Sequence, residues 1–252
     1  MILVTDDRAL DYRVSKATVR RACPTMTAAE LATFRVPGQM NNLILQHIFD
    51  CHTERGDRVL DPMCSVGTTL HWGAKHGRSV HGLELIPNLV AIGRLRLEQF
   101  LPGNRNWRLE HANAFTAALP TAHYDLGIFS PPQIRLSRGP YPAGKDQMGN
   151  FTYANRAQYW RKIRALVARL SRALRPGARF TTLNVNMRRQ DGSLYLFPHD
   201  MHQALADCGW HLIEEVVVQR LHHFNIDSIR YEYLRTYQRQ QPPHIRSARS
   251  AK

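Results

Sequence analysis

The segment with the most distinctive chemistry is Ser-Pro-Pro-Gln at 130–133, which directly follows the apolar run "LGIF". The run is typical of a buried strand. Two consecutive prolines remove two backbone donors and fix two φ angles, so the chain that leaves this strand is stiff. A stiff corner can hold a hydroxyl group and carbonyl oxygens at fixed positions. The segment is therefore predicted to position a reacting group.

Two acidic residues also end predicted strands. Asp61 is followed by small residues and Gly67, which lead into a predicted helix, and Glu84 ends the next strand. Ligands of open α/β sheets bind beyond the carboxyl ends of the strands, where helix N-termini offer free N–H groups. A carboxylate at the position of Glu84 can accept both hydroxyls of a ribose; the alternative is a strand-end acid that faces solvent. The sequence has no Gly-x-Gly-x-x-Gly and no Gly-Lys-Ser/Thr motif, which disfavours a dinucleotide or ATP site.

The elements that must position these residues alternate between strand and helix through 58–184, which predicts a parallel sheet covered by helices. The longest amphipathic pattern, at 154–177, has an apolar face and an arginine-rich face, and the arginines are predicted to face solvent. Residues 1–30 are predicted to form a basic N-terminal arm, 31–238 one domain, and 239–252 a disordered basic tail. No internal repeat is present.

The charge balance is unusual for a chain of 252 residues. It has 34 Lys and Arg against 20 Asp and Glu, a net charge of +14. Such a field favours polyanions, so nucleic acid is the first expected partner and an anionic membrane surface the second. The alternative is a solubilising surface or a basic tail.

The cysteines and the apolar runs indicate the compartment. Four cysteines without a Cys-x-x-Cys pair favour a reduced, cytoplasmic setting. Cys51-His52 has no second pair at ligand spacing, so no metal site is expected. The N-terminus does not resemble a signal peptide, and no apolar run is long enough to cross a bilayer.

Taken in order, the motifs resemble those of S-adenosylmethionine-dependent amino-methyltransferases, which modify cytosine N4 or adenine N6, mostly in DNA. "DPMCSVGTT" at 61–69 is similar to the cofactor turn of this family, and "GLELIPNLVAIGR" to its ribose-binding motif. "HANAF" at 111–115 resembles the segment that meets the adenine. "FSPPQ" resembles the catalytic motif, in a form more typical of cytosine enzymes. The resemblance covers about 34–238, including an upstream helix at 34–49.

The resemblance implies an α/β, Rossmann-like methyltransferase fold with a mostly parallel seven-stranded sheet, helices on both faces and an antiparallel last hairpin. It implies S-adenosylmethionine as cofactor and, in DNA or alternatively RNA, a flipped-out or single-stranded target base. The Ser130 hydroxyl and the Pro131 carbonyl would hold both N–H bonds of the exocyclic amine. The implied catalytic residues are Ser130, Pro131, Pro132 and Gln133. The implied cofactor-binding residues are Pro37, Asp61, Pro62, Ser65, Gly67, Thr68, Glu84, Asn113 and Ala114.

Two residues depart from the family pattern. Ser65 replaces the first glycine of the cofactor turn, and Gln133 replaces the aromatic residue that stacks on the flipped base. A stacking face could come from the following segment, or its aromatic residues could merely fix that loop. These two departures leave a second hypothesis open, namely that the protein binds nucleic acid and has the methyltransferase fold but not the methyltransferase activity. The predicted substrate-binding residues are Tyr141, Gln147, Phe151 and Tyr153.

Overall fold

A computed structural model describes residues 1–5, 14–33, 40–134, 148, 151–189, 191–220 and 231–239. The described strands are β1 (Ile2–Thr5), β2 (Arg58–Asp61), β3 (Ser79–Glu84), β4 (Trp107–His111), β5 (Tyr124–Phe129), β6 (Leu174–Val185), β7 (Met187–Arg188), β8 (Leu194–Tyr195), β9 (Trp210–Arg220) and β10 (Tyr231–Arg239). The described helices are α1 (Lys16–Ala22), α2 (Ala28–Thr33), α3 (Asn42–His52), α4 (Thr68–Lys75), α5 (Pro87–Phe100), α6 (Arg156–Ala173) and α7 (Phe197–Ala206).

The main sheet has eight strands in the order β1-β9-β10-β6-β5-β2-β3-β4, while β7 and β8 form a separate pair. Strands β2 to β6 of this sheet run parallel to one another, and β10 is antiparallel to both β6 and β9. This confirms the predicted Rossmann-like sheet and its antiparallel last hairpin. Seven strands were expected, and β1, which runs parallel to β9, is the additional one.

The order of the strands reverses between β2 and β5, which are neighbours in the sheet although β3 and β4 lie between them in the chain. Parallel strands bring their carboxyl ends to the same edge. The residues that follow β2 and those that follow β5 are therefore side by side. This topology alone places Asp61, which ends β2, near Ser130, which follows β5.

Helices cover both faces of the sheet, as predicted. One hydrophobic cluster joins α3, α4 and α5 to the sheet, with Ile48, Leu70 and Leu97 fully buried. A second cluster joins α6 and α7, with Ile163 and Met201 fully buried. The arginine-rich face of α6 is solvent-exposed where predicted, because burying guanidinium groups without partners is costly. None of the described helices is both long and apolar enough to cross a membrane.

The first 30 residues differ from the predicted basic arm, because their described parts belong to the domain. Strand β1 extends the sheet beside β9, and α1 contacts α5. Val19, Cys23 and Leu31 are buried together with Ile92 of α5. Burying these side chains offsets the cost of ordering the segment. At the other end, Arg239 still belongs to β10, and the rest of the predicted tail lies outside the described residues.

A histidine pair fixes α3 to the sheet. The Nε2 atoms of His47 and His52 lie 3.0 and 2.7 Å from the same carboxylate oxygen of Glu214 on β9. Within the described ranges this is the one group of three potential metal-ligand side chains. Each histidine hydrogen-bonds Glu214, and none of the three residues lines the cleft described below.

Candidate functional site

The carboxyl ends of the central strands border a cleft of about 470 Å³. Residues after β2, β3, β4 and β5 all contribute to its walls, as the reversal of strand order requires. The cleft thus joins the two motifs that are far apart in the sequence. The predicted site residues that line it are Asp61, Pro62, Ser65, Thr68, Glu84, Asn113, Ala114, Ser130, Pro131, Pro132 and Gln133.

Other predicted site residues lie elsewhere. Gly67 does not line the cleft; it precedes α4 in the left-handed region, at φ +78°. Phe151 is buried in the core, with its ring edge-to-face against Tyr159, so it offers no stacking face to the cleft. Tyr153 also lies outside the cleft lining, under the guanidinium group of Arg156. Pro37, Tyr141 and Gln147 are outside the described residues.

Glu84 is held rigidly at the end of β3. One carboxylate oxygen accepts a hydrogen bond from the Ser65 N–H at 2.9 Å, and the other accepts from the Ile86 N–H at 2.8 Å. Burial raises the pKa of Glu84, and these backbone N–H groups oppose that rise. Each oxygen keeps a further lone pair. The carboxylate can therefore accept two ligand hydroxyls without moving.

Asp61 is the second acid of the cleft. Its carboxyl group accepts from the Met63 N–H at 3.2 Å and also bonds the Thr69 side chain. Burial, assisted by the charge of Glu84, raises the pKa of Asp61 to about 7. A carboxyl group with such a pKa gains or loses its charge near neutral pH. A cationic ligand placed beside it would favour the charged form.

The raised pKa of Asp61 predicts a pH dependence of the ligand-free protein. Between the ordinary pKa of 3.8 and about 7, the folded chain binds this proton more tightly than the unfolded chain. The resulting stability is complete below the ordinary pKa and is lost as pH rises through about 7. We expect wild type to lose roughly 2–4 kcal/mol relative to Asp61→Asn between pH 4 and pH 8. Urea unfolding of both proteins measures this, and a constant difference across the range would contradict it.

Ser65 adopts the left-handed backbone conformation, with φ +51°, where an L side chain is strained. Its Oγ atom is buried and has no hydrogen-bond partner among the described residues. The N–H of Ser65 nevertheless bonds Glu84, as a glycine would also allow. The serine thus preserves the shape of the turn at a cost in stability.

Replacing Ser65 with glycine is expected to stabilise the protein by about 0.5–1 kcal/mol, because relief of strain exceeds the greater freedom of glycine in the unfolded chain. Urea unfolding at fixed pH measures the change. Ala122→Gly is the matched control, since Ala122 has φ +47°, is exposed and does not line the cleft. The control should gain a similar amount. A loss of stability in Ser65→Gly alone would show that the hydroxyl stabilises the turn.

The loop after β4 forms another wall of the cleft. The Asn113 side-chain oxygen accepts from the Phe115 N–H at 2.9 Å, and the Asn113 carbonyl accepts from the N–H groups of Thr116 and Ala117. The loop is thereby closed on itself. Together with Ile86, the loop residues Ala114 and Phe115 give this part of the cleft a mostly apolar lining suited to a flat ring.

The proline corner, which consists of Ser130, Pro131, Pro132 and Gln133, is fixed from two sides. The Ser130 hydroxyl donates to the Leu183 carbonyl of β6 at 3.0 Å, and the Pro132 carbonyl accepts from the Tyr159 hydroxyl of α6 at 2.8 Å. Burial raises the pKa of Tyr159 well above its usual range, so this hydroxyl remains a donor. Because the Ser130 proton is committed to β6, its oxygen presents lone pairs as acceptors.

Two polar residues that line the cleft were not predicted from the sequence. Asn184 lies near the end of β6 and Glu232 near the start of β10. The available signal was an amide in the stretch "FTTLNV" and a carboxylate in the stretch "RYEYL", both of which are predicted strands. Their common location depends on the antiparallel pairing of β6 and β10, in which Asn184 is opposite Tyr233 and Glu232 is opposite Val185.

Comparison with known proteins gives similarity in structure only. No protein-family model and no curated protein matches the sequence. Magnesium protoporphyrin IX methyltransferase from Synechocystis, solved with bound S-adenosylmethionine, is similar over 92% of this chain and 100% of its own, with a TM-score of 0.55 and 14% identity. The 1,6-didemethyltoxoflavin-N1-methyltransferase from Burkholderia thailandensis is similar over 92% and 94%, with a TM-score of 0.54 and 15% identity.

TrmN from Thermus thermophilus has a TM-score of 0.54 and 18% identity, over 81% of this chain and 50% of its own. At these identities the likeness establishes the fold. The chain has the Rossmann-like fold of S-adenosylmethionine-dependent methyltransferases.

Proposed function

From this fold and cleft, we propose that the protein transfers a methyl group from S-adenosylmethionine to the exocyclic amine of a nucleic-acid base, with cytosine N4 in DNA as the first candidate. One observation carries the proposal. The acceptor corner at Ser130 and Pro131 opens into the same cleft as the acids Asp61 and Glu84. On this proposal, one cavity receives both the methyl donor and the amine.

The residues of the cleft fit S-adenosylmethionine. Glu84 offers a fixed carboxylate to ribose hydroxyls, and the apolar wall at the Asn113 loop suits an adenine ring. The buried Ser65 hydroxyl, which has no partner among the described residues, is a further group that a polar ligand would satisfy. When bound, S-adenosylmethionine supplies a methyl group activated by its sulfonium.

The chain contributes orientation to the reaction. An exocyclic amine is a poor nucleophile because its lone pair is delocalised into the ring. Acceptance of its two N–H bonds by the Ser130 oxygen and the Pro131 carbonyl holds the lone pair in one direction and stabilises positive charge that develops on the nitrogen. The bonds from the corner to Leu183 and Tyr159 keep these acceptors in place without reorganisation.

The charge distribution supports nucleic acid as the partner. The net charge of +14 favours a polyanion. Val185 at the end of β6 lines the cleft, and Arg188 and Arg189 follow three and four residues later in the chain. Arg188 bonds the Gly192 carbonyl and Arg189 pairs with Asp191, so a phosphate group would compete with these contacts. A base within a duplex cannot reach a cleft of this kind, so the target base must be flipped out or single-stranded.

The proposal is tested by incubating the protein with tritiated S-adenosylmethionine and duplex DNA, single-stranded DNA or RNA of the same sequence. We expect label in DNA. Label in RNA alone would contradict DNA as the substrate and would support the RNA alternative. Titration calorimetry without nucleic acid is the companion measurement. If the protein neither binds S-adenosylmethionine nor transfers its methyl group, the alternative of a nucleic-acid-binding protein that has the fold but not the activity would be supported.

A further inference from the structure

Asn184 has an unusual position for an amide side chain. It is 2% exposed, near the carboxyl end of β6, and its side chain lines the cleft together with the proline corner. The preceding residue, Leu183, supplies the carbonyl that accepts the Ser130 hydroxyl. Asn184 therefore follows directly after the residue of β6 that fixes the proline corner.

The amide nitrogen of Asn184 is buried and has no hydrogen-bond partner among the described residues. Burying an amide donor without a partner is costly, and most buried polar groups in proteins are paired. Asn186, two residues later and outside the cleft lining, provides the contrast, because its amide nitrogen contacts the Tyr233 hydroxyl at 3.4 Å. The unpaired donor is thus found at the cleft, where a ligand can complete its bonding.

We propose that Asn184 donates a hydrogen bond to the unprotonated ring nitrogen next to the target amine, which is N3 of cytosine. This inference rests on the proposed function. Two acceptors at the corner and one donor from Asn184 complement an amine beside a bare ring nitrogen. Thymine and uracil present a carbonyl and an N–H at these positions, so each contact would become repulsive. Asn184 is then a residue that selects amine-bearing bases.

The test uses single-stranded DNA in which the target cytosine is replaced by 3-deazacytosine, which keeps the amine but has C–H in place of N3. Steady-state kcat/KM is measured on both substrates for wild type and Asn184→Ala. The ratio of kcat/KM on cytosine to kcat/KM on 3-deazacytosine should be about 10- to 100-fold larger for wild type than for Asn184→Ala. Only wild type can form the hydrogen bond to N3. The preference of the variant measures the intrinsic reactivity difference between the two bases.

Two controls separate recognition from folding. Asn186→Ala should retain the wild-type preference. Asn184→Ala should melt at the wild-type temperature or above it, because no bond of its amide nitrogen to the described residues is lost. Asn184→Ser is the second variant, and its shorter side chain should give the same loss of preference if Asn184→Ala fails to fold.

The outcomes distinguish the two proposals. An unchanged preference for cytosine in a folded Asn184 variant overturns the role of Asn184 and leaves the proposed function intact. Absence of methyl transfer by wild type to any nucleic acid overturns the proposed function and this inference with it.

Discussion

Ser130→Ala is expected to lower kcat by about 100-fold while the affinity for S-adenosylmethionine changes by less than about 3-fold. The hydroxyl is placed by its bond to the Leu183 carbonyl, and Ser130 lines the cleft in which the amine is proposed to bind. Removing one preorganised group that stabilises developing charge costs about 10²–10³ in kcat in other enzymes. Because the cofactor residues are on other strands, ground-state binding of the cofactor should be preserved.

Single-turnover kinetics and titration calorimetry measure the two quantities separately. Ser171→Ala is the matched control, because the Ser171 hydroxyl also donates to a backbone carbonyl, that of Val167 at 2.7 Å, but within α6. The control should lose stability and keep kcat. A parallel loss of kcat and affinity in Ser130→Ala would contradict a role confined to the amine.

Glu84→Ala is expected to raise the Kd for S-adenosylmethionine by at least about 100-fold and to change kcat at saturating cofactor by less than about 5-fold. A hydrogen bond to a charged group contributes about 1.5–3 kcal/mol, and Glu84 can accept two from a ribose. The variant also removes the acceptor of the Ser65 N–H, which loosens the cofactor turn. Both effects should weaken cofactor binding, and neither involves the residues proposed to bind the amine.

Calorimetry gives the Kd, and turnover at high cofactor concentration gives kcat. Glu110→Ala is the control, since Glu110 is on the neighbouring strand β4, contacts His81 and Arg108, and does not line the cleft. Its affinity should equal that of wild type. An unchanged Kd in Glu84→Ala, or a collapse of kcat with normal affinity, would contradict the assignment of Glu84 to the cofactor.

The central part of the fold and of the site could be predicted from the sequence. Asp61, Glu84 and Ser130 each follow an apolar run, and parallel strands bring their carboxyl ends to one edge of a sheet. Once strand and helix alternate, the side-by-side placement of these residues follows from topology. It does not require knowledge of any individual contact, which explains the success of the prediction.

The remaining parts depend on long-range packing that local patterns do not reveal. Strand β1 has four residues and becomes a strand by pairing with β9, far away in the sequence. Asn184 and Glu232 reach the cleft through the antiparallel pairing of β6 and β10. Phe151 matched the position of a stacking residue, but contact with Tyr159 places it in the core. An aromatic side chain near a site is equally suited to either environment.

The position of the transferred methyl group tests the central claim most directly. DNA methylated with labelled S-adenosylmethionine is digested to nucleosides, which are separated and identified by mass spectrometry. The acceptor corner predicts a methyl group on an exocyclic nitrogen, as N4-methyldeoxycytidine. N6-methyldeoxyadenosine would retain the amine chemistry and change the base. A methyl group on a ring carbon or ring nitrogen would contradict the role assigned to Ser130 and Pro131.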